Sequence, residues 1–153
     1  MKAVILFVAL GFAACNAADS NSNVTANKPS TPSPTVAQRG DGVRRVTTAE
    51  LDELMKQGKV VVLDVRNKDM YDMSHIRGAK LIPFNQVGER ANELPRDKMI
   101  VTYCTCPNEE TSGQAAQILA KKGFRRVAAL KGGMGAWQRE GYAMAAGMPP
   151  PRR

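Results

Sequence analysis

Hydrophobic positions follow two alternating patterns in this chain after residue 45. Largely apolar runs at residues 60–65, 99–103 and 126–130 are typical of strands that are buried on both faces. Between these runs, apolar residues recur every three or four positions, which predicts helices. Strands that alternate with helices indicate an α/β fold with a mainly parallel central sheet and helices on both faces.

Capping and turn residues predict where the helices begin and end. Thr47 and Glu50 form a capping box that opens a first helix, and Gly58 ends it. A brief strand is expected at residues 80–82. The remaining predicted helical segments are residues 68–74, 86–94, 111 or 112 to about 122, and 134–140.

The first 44 residues lack this periodicity. Residues 1–14 combine a positive charge, an apolar run and small residues, as a secretory signal peptide does, and the run is short for a membrane-spanning helix. Residues 12–15 resemble a bacterial lipobox, in which Cys15 would carry a lipid; the alternative is ordinary cleavage nearby. We expect residues 15–44, rich in Ser, Thr, Asn and Pro, to be a disordered linker after that cysteine.

These expectations define the organisation of the whole chain. A folded domain would span residues 45–142, and residues 143–153 would form a flexible tail. The protein would be exported to the periplasmic or cell-surface side and held at a membrane as a lipoprotein.

The charge of the chain bears on its partners. The formal net charge is +8, from 22 Lys and Arg against 14 Asp and Glu. Because the basic residues are scattered and not interleaved with aromatic residues, we expect no nucleic-acid partner, and anionic lipid headgroups or small anions fit better. One histidine and two loop cysteines fall short of a structural zinc set, so we expect no metal.

Two cysteines lie in a polar loop after the strand at residues 99–103. The following helix would present unpaired N–H groups and the positive end of its dipole to this loop, and both favour the nucleophilic thiolate. We take Cys104 as the catalytic residue, because the sheet fixes a strand end more firmly than a loop. Cys106 would be a resolving thiol or the alternative nucleophile. The predicted anion-binding loop contains Thr105, Pro107, Asn108, Glu109, Glu110, Thr111 and Ser112.

Three motifs in order along the chain resemble those of the rhodanese-like domain, a family of single-domain sulfurtransferases. They are residues 63–66 with Tyr71 and residues 75–79, then residues 103–104, then residues 132–137. The resemblance implies a rhodanese-like fold whose cysteine accepts a sulfane sulfur as a persulfide and passes it to a nucleophile. It implies a small sulfane-sulfur donor or a persulfidated protein and a thiol acceptor as partners, and no cofactor.

The loop departs from the family pattern, in which an arginine stands five residues after the cysteine and Ser or Thr follows. The fifth residue is Glu109 when counted from Cys104 and Thr111 when counted from Cys106. Alignment from the strand selects Cys104, and alignment from the helix selects Cys106. Acidic residues near the cradle would repel anions and raise the pKa of a thiol, which makes thiosulfate a doubtful donor and favours a neutral or protein-borne persulfide.

Three residues outside the loop are candidates for pocket or structural support. Asp64 would accept backbone N–H groups, Arg66 would lie at the pocket mouth and attract donors, and His75 would order the turn before Gly78. Two other functions stay open: a thiol–disulfide redox module that uses the Cys-x-Cys pair, and a catalytically weak binding domain that kept the fold.

Overall fold

A computed structural model describes residues 40–147 of the chain. The signal peptide, the lipid-bearing Cys15 and most of the linker predicted above lie outside the described residues, as do residues 148–153, and those interpretations stay predictions. Among the helices of residues 40–147, none has both the length and the apolar character that crossing a membrane requires.

Five strands form a central sheet in which every pair of neighbours is parallel. The central strand, β5 (Met99–Tyr103), is buried along all five residues, which explains its largely apolar sequence. The parallel sheet confirms the predicted α/β fold. In spatial order the strands are β1 (Arg45–Val46), β6 (Val127–Leu130), β5 (Met99–Tyr103), β2 (Val60–Asp64) and β4 (Lys80–Leu81).

The helices begin close to the predicted positions. Thr47 caps the first helix by accepting the backbone N–H of Glu50 at 3.1 Å, as the capping box predicts. The predicted helix over residues 86–94 is instead a short α-helix between two 3₁₀ turns, Phe84–Gln86 and Ala91–Glu93. The helices are α1 (Thr48–Lys56), α2 (Lys68–Met73), α3 (Val87–Arg90), α4 (Glu110–Lys121) and α5 (Gly133–Arg139).

The sheet has a separate apolar core on each face. Successive strand residues alternate between the two, with Val62 in one core and Leu63 in the other. Side chains of α1, α2 and α5 cover the first face, and those of α3 and α4 cover the second. This arrangement agrees with the prediction of helices on both faces.

A small second sheet closes the domain. β3 (His75–Ile76) pairs in the antiparallel direction with β7 (Met144–Ala145). The sequence does not predict β1, β3 or β7, since two residues are too few to show a period. The predicted boundary at residue 142 therefore falls short of the folded part, which includes β7.

Candidate functional site

The main chain of Cys104 is held firmly at the carboxyl end of β5. Its carbonyl oxygen accepts the N–H of Met134 at 3.0 Å. Gly133 packs so closely here that a Cβ would stand 2.5 Å from the same oxygen. The start of α5 therefore braces the beginning of the cysteine loop.

The Cys104 side chain points into the core and not into the loop. It is 2% exposed and belongs to the core that α3 and α4 cover. Its Sγ donates to the Ser112 hydroxyl at 3.6 Å. This burial differs from the expectation that the Cys104 thiol lies in the polar loop, where the start of the helix would favour its thiolate.

Cys106 lies in a more open environment. Its side chain is half-buried, and its Sγ is 3.2 Å from the Thr111 hydroxyl in the first turn of α4. The carbonyl of Cys106 accepts the N–H of Glu109 at 3.1 Å, which closes a turn at this point. Of the two loop cysteines, Cys106 is the more exposed.

The two thiols have opposite pKa shifts. Burial raises the pKa of the Cys104 thiol, and its hydrogen bond with Cys106 raises it further. Burial also acts to raise the pKa of Cys106, but hydrogen bonds from Thr111 and Cys104 to its thiolate outweigh this and lower the pKa. Cys106 is therefore the sulfur that ionises more readily.

Glu109 faces the protein interior. Its carboxylate is 3.3 Å from Arg45 Nε and accepts the N–H of Gly132 at 2.6 Å, and the residue is 2% exposed. This corrects the expectation that Glu109 repels anions, because its carboxylate is buried and pairs with the Arg45 guanidinium, which also pairs with Asp41. Glu110 is exposed at the start of α4.

The other loop residues divide into exposed and buried positions. Ser112 is fully buried, and its hydroxyl donates to the carbonyl of Glu109 at 3.0 Å. The exposed residues of the predicted loop, besides Glu110, are Thr105, Pro107 and Asn108.

Asp64, Arg66 and His75 support the structure behind the loop. Asp64 is fully buried and accepts the backbone N–H of Arg66 at 2.9 Å, as expected. The Arg66 guanidinium pairs with the Asp64 carboxylate at 2.6 Å and donates to the carbonyl of Ser74 at 2.7 Å. Arg66 is 8% exposed, so the expectation that it lies at a pocket mouth is corrected.

His75 joins this support through the backbone of α2. Its Nδ1 is 2.8 Å from the carbonyl oxygen of Tyr71, and its ring stacks on the Tyr71 ring with centroids 3.8 Å apart. The hydroxyl of Tyr103, from the second of the three motifs, donates to the Asp64 carboxylate and accepts the N–H of Ile76.

Arg45 is the residue near the loop that sequence reasoning missed. It follows Arg44, whose side chain is 42% exposed, and the pair is typical of a solvated turn. Only its position between the apolar Val43 and Val46 hinted at burial. In residues 40–147, no group of three or more His, Cys, Asp or Glu side chains is arranged to hold a metal ion.

Known proteins are similar to this chain in sequence and in fold. The rhodanese-like domain family matches residues 47–140. The uncharacterized protein YqhL of Bacillus subtilis is 36% identical over 96 residues, which are 61% of this chain and 75% of that protein. The thiosulfate sulfurtransferase GlpE of Coxiella burnetii is 30% identical over 95 residues, covering 62% of this chain and 87% of that protein.

A solved structure supports the same assignment. The BH2092 protein of Bacillus halodurans matches with a TM-score of 0.62 and 32% identity, over 67% of this chain and 76% of that one. The family match covers every strand of the parallel sheet except β1, together with the cysteine loop and α5. The chain belongs to the rhodanese-like domain family.

Proposed function

We propose that this protein is a sulfurtransferase that carries a sulfane sulfur as a persulfide on Cys106. The observation that carries the proposal is the contrast between the two loop thiols. Cys106 is half-buried and has a lowered pKa, whereas Cys104 is 2% exposed and has a raised pKa. A nucleophile needs both access and ionisation.

The proposed reaction has two displacement steps at sulfur. The Cys106 thiolate attacks the outer sulfur of a donor persulfide, the donor's sulfur–sulfur bond breaks, and the donor leaves as a thiolate. A thiolate acceptor then attacks the outer sulfur of the Cys106 persulfide and regenerates the Cys106 thiolate. Each step forms and breaks one sulfur–sulfur bond, so no outside oxidant or reductant is needed.

The composition of the loop supports a persulfide as donor. Residues 104–112 contain no Lys or Arg, and the Glu110 side chain is exposed beside them. Arg45, the nearby cation, is 3% exposed and pairs with Asp41 and Glu109. A dianionic donor such as thiosulfate would therefore meet no free guanidinium in this loop, whereas the sulfur–sulfur group of a thiol persulfide carries at most one negative charge.

Mass spectrometry of matched cysteine variants tests this proposal. The full-length protein is incubated with glutathione persulfide or thiosulfate and digested, and the mass of the peptide that contains the loop is measured. We expect a gain of one sulfur atom with the persulfide, its loss in Cys106→Ala and its retention in Cys104→Ala.

Three results would contradict parts of the proposal. Sulfur lost in Cys104→Ala and kept in Cys106→Ala would assign the reaction to Cys104. A reversible disulfide between the two residues with no added sulfur would identify a redox module. An unmodified wild-type loop with both donors would indicate a binding domain.

A further inference from the structure

We propose that Glu109 is a positioning residue for sulfur transfer, whose buried carboxylate holds the cysteine loop in its reactive shape. The inference rests on the proposed function, because the reaction that needs this loop shape is the proposed sulfur transfer. The loop has no arginine to organise it, and the contacts of Glu109 join it to two other parts of the fold.

The carboxylate of Glu109 bridges three segments of the chain. Its Oε2 is 3.3 Å from the Nε of Arg45 in β1, and its Oε1 accepts the N–H of Gly132 at 2.6 Å, just before α5. Arg45 is itself fixed, since it donates to Asp41 at 2.6 Å and to the carbonyl of Val43 at 2.8 Å. Both charged partners of the bridge are 3% exposed or less, so solvent screens their attraction little.

The backbone of Glu109 is strained. Its φ is +50°, and no other residue except glycine has a positive φ among residues 40–147. The left-handed conformation carries a steric cost for a residue with a Cβ. Glycine would avoid this cost, but it would also remove the carboxylate. Strain of this kind persists where surrounding contacts determine the conformation, and here those contacts include the side-chain contacts with Arg45 and Gly132.

We call the Glu109 carboxylate and its two partners, Arg45 and Gly132, the clamp. The main chain of Glu109 connects this clamp to the turn that carries Cys106. Its N–H donates to the carbonyl of Cys106 at 3.1 Å, and its carbonyl accepts the N–H of Gly113 at 2.8 Å. The same carbonyl accepts the Ser112 hydroxyl. A shift of Glu109 would therefore move both the turn that carries Cys106 and the first turn of α4, where Thr111 contacts the sulfur.

Charge alone would give the opposite effect from the clamp. If Glu109 acted only as a nearby negative charge, its removal would make the Cys106 thiolate more stable and the thiol more reactive at neutral pH. If Glu109 acts as a clamp, its removal loosens the loop and makes Cys106 less reactive. The direction of the change distinguishes the two roles.

Alkylation of Cys106 by iodoacetamide measures this direction without any sulfur transfer. The rate is followed against pH in the full-length protein by mass spectrometry, for Glu109→Gln and for the exposed neighbour Glu110→Gln. We expect Glu109→Gln to slow alkylation at pH 7 about fivefold, the effect of one lost hydrogen bond, and to move the profile to higher pH. Glu110→Gln loses the same charge and should change the rate less than about twofold.

A second variant keeps the test decisive if Glu109→Gln does not fold. Glu109→Asp keeps the charge but is one methylene too short to reach both Arg45 and Gly132, so it should also slow alkylation. Wild-type or faster rates in a folded Glu109→Gln or Glu109→Asp protein, with the fold checked by circular dichroism, would overturn the inference.

The two proposals fail separately. Normal persulfide formation and normal alkylation in Glu109→Gln would overturn the role of Glu109 and leave the proposed sulfurtransferase function standing. Slowed alkylation in Glu109→Gln, together with a wild-type protein that never gains sulfur, would support the positioning role of Glu109 and overturn the sulfurtransferase proposal.

Discussion

Two cysteines separated by one residue have opposite chemical environments in this domain. Cys104 directly follows β5 and its side chain stays in the core, whereas Cys106 lies in the loop, where its sulfur meets the Thr111 hydroxyl. A low-dielectric core disfavours a thiolate, and a hydroxyl donor favours it. The same functional group is therefore disfavoured as a thiolate at one position and favoured as a thiolate at the other.

Removal of the Thr111 hydroxyl should make Cys106 less reactive. Thr111→Val keeps the shape of the side chain but removes the hydrogen bond that lowers the pKa of Cys106, so its pKa should rise. At pH 7 less thiolate would then be present, and we expect alkylation to slow about fivefold. Stopped-flow or mass-spectrometric alkylation rates between pH 5 and pH 10 measure the shift.

The control for this prediction is Thr105→Val, which changes an exposed threonine of the same loop. It should leave the pH profile of Cys106 unchanged. A Thr111→Val profile that coincides with that of the wild type would show that the hydroxyl does not stabilise the thiolate.

At the scale of elements, the start of α5 fits against the end of β5 through glycine. Gly133 has a φ of +54° and stands where any Cβ would meet the Cys104 carbonyl at 2.5 Å. That carbonyl accepts the N–H of Met134, the residue that follows. The helix and the cysteine loop are thus positioned by one main-chain contact that a larger residue would prevent.

Gly133→Ala should therefore destabilise the domain more than an ordinary turn substitution. A left-handed alanine costs about 1–2 kcal/mol, and the clash adds a further cost, for a total of about 3 kcal/mol in the free energy of unfolding. Gly58→Ala is the matched control, because Gly58 has a φ of +64° and a Cβ there would have no other part of the described chain within 4 Å. Urea denaturation of both variants measures the difference, and equal losses would contradict the close approach.

At the scale of the whole molecule, the segment from α5 to β7 packs along one face of the domain. Trp137 is 1% exposed in the core under α1, α2 and α5, and its Nε1 donates to the carbonyl of Ala143 at 3.2 Å. Tyr142 stacks on its ring with centroids 4.5 Å apart. These contacts hold the segment that leads into β7 and so complete the small sheet.

Substitutions at Trp137 should act on global stability. Trp137→Phe keeps most of the ring but loses the hydrogen bond to Ala143, and we expect a loss of about 1 kcal/mol in the free energy of unfolding. Trp137→Ala also leaves a cavity and should cost about 3–5 kcal/mol. Circular dichroism during urea denaturation gives both values.

Tyr142→Phe serves as the control for these substitutions, because it keeps the stacked ring and should change stability by less than about 0.5 kcal/mol. A Trp137→Ala protein as stable as this control would show that the closing segment contributes nothing to the fold.

Most of the framework could be predicted from local patterns. The runs at β2, β5 and β6 and the capping box of α1 are each specified by neighbouring residues, and their observed ends lie within about one residue of the predicted ones. The short β1, β3 and β7 could not be predicted, because each is a strand only through its partner. In the sequence, Arg45 and Arg66 look like any exposed arginine. Only the packed structure shows that their side chains are buried.

The sequence alone determined the α/β architecture and placed two thiols between a central strand and a helix, because hydrophobic period, caps and motif order are local information. The tertiary structure decided which cysteine is the more exposed and that the Glu109 carboxylate is buried against Arg45. Arg45 reaches Glu109 across 64 residues of chain, and only the assembly of β1 beside β6 brings them together. Burial and long-range ion pairing depend on all the elements at once, so no local pattern reveals them.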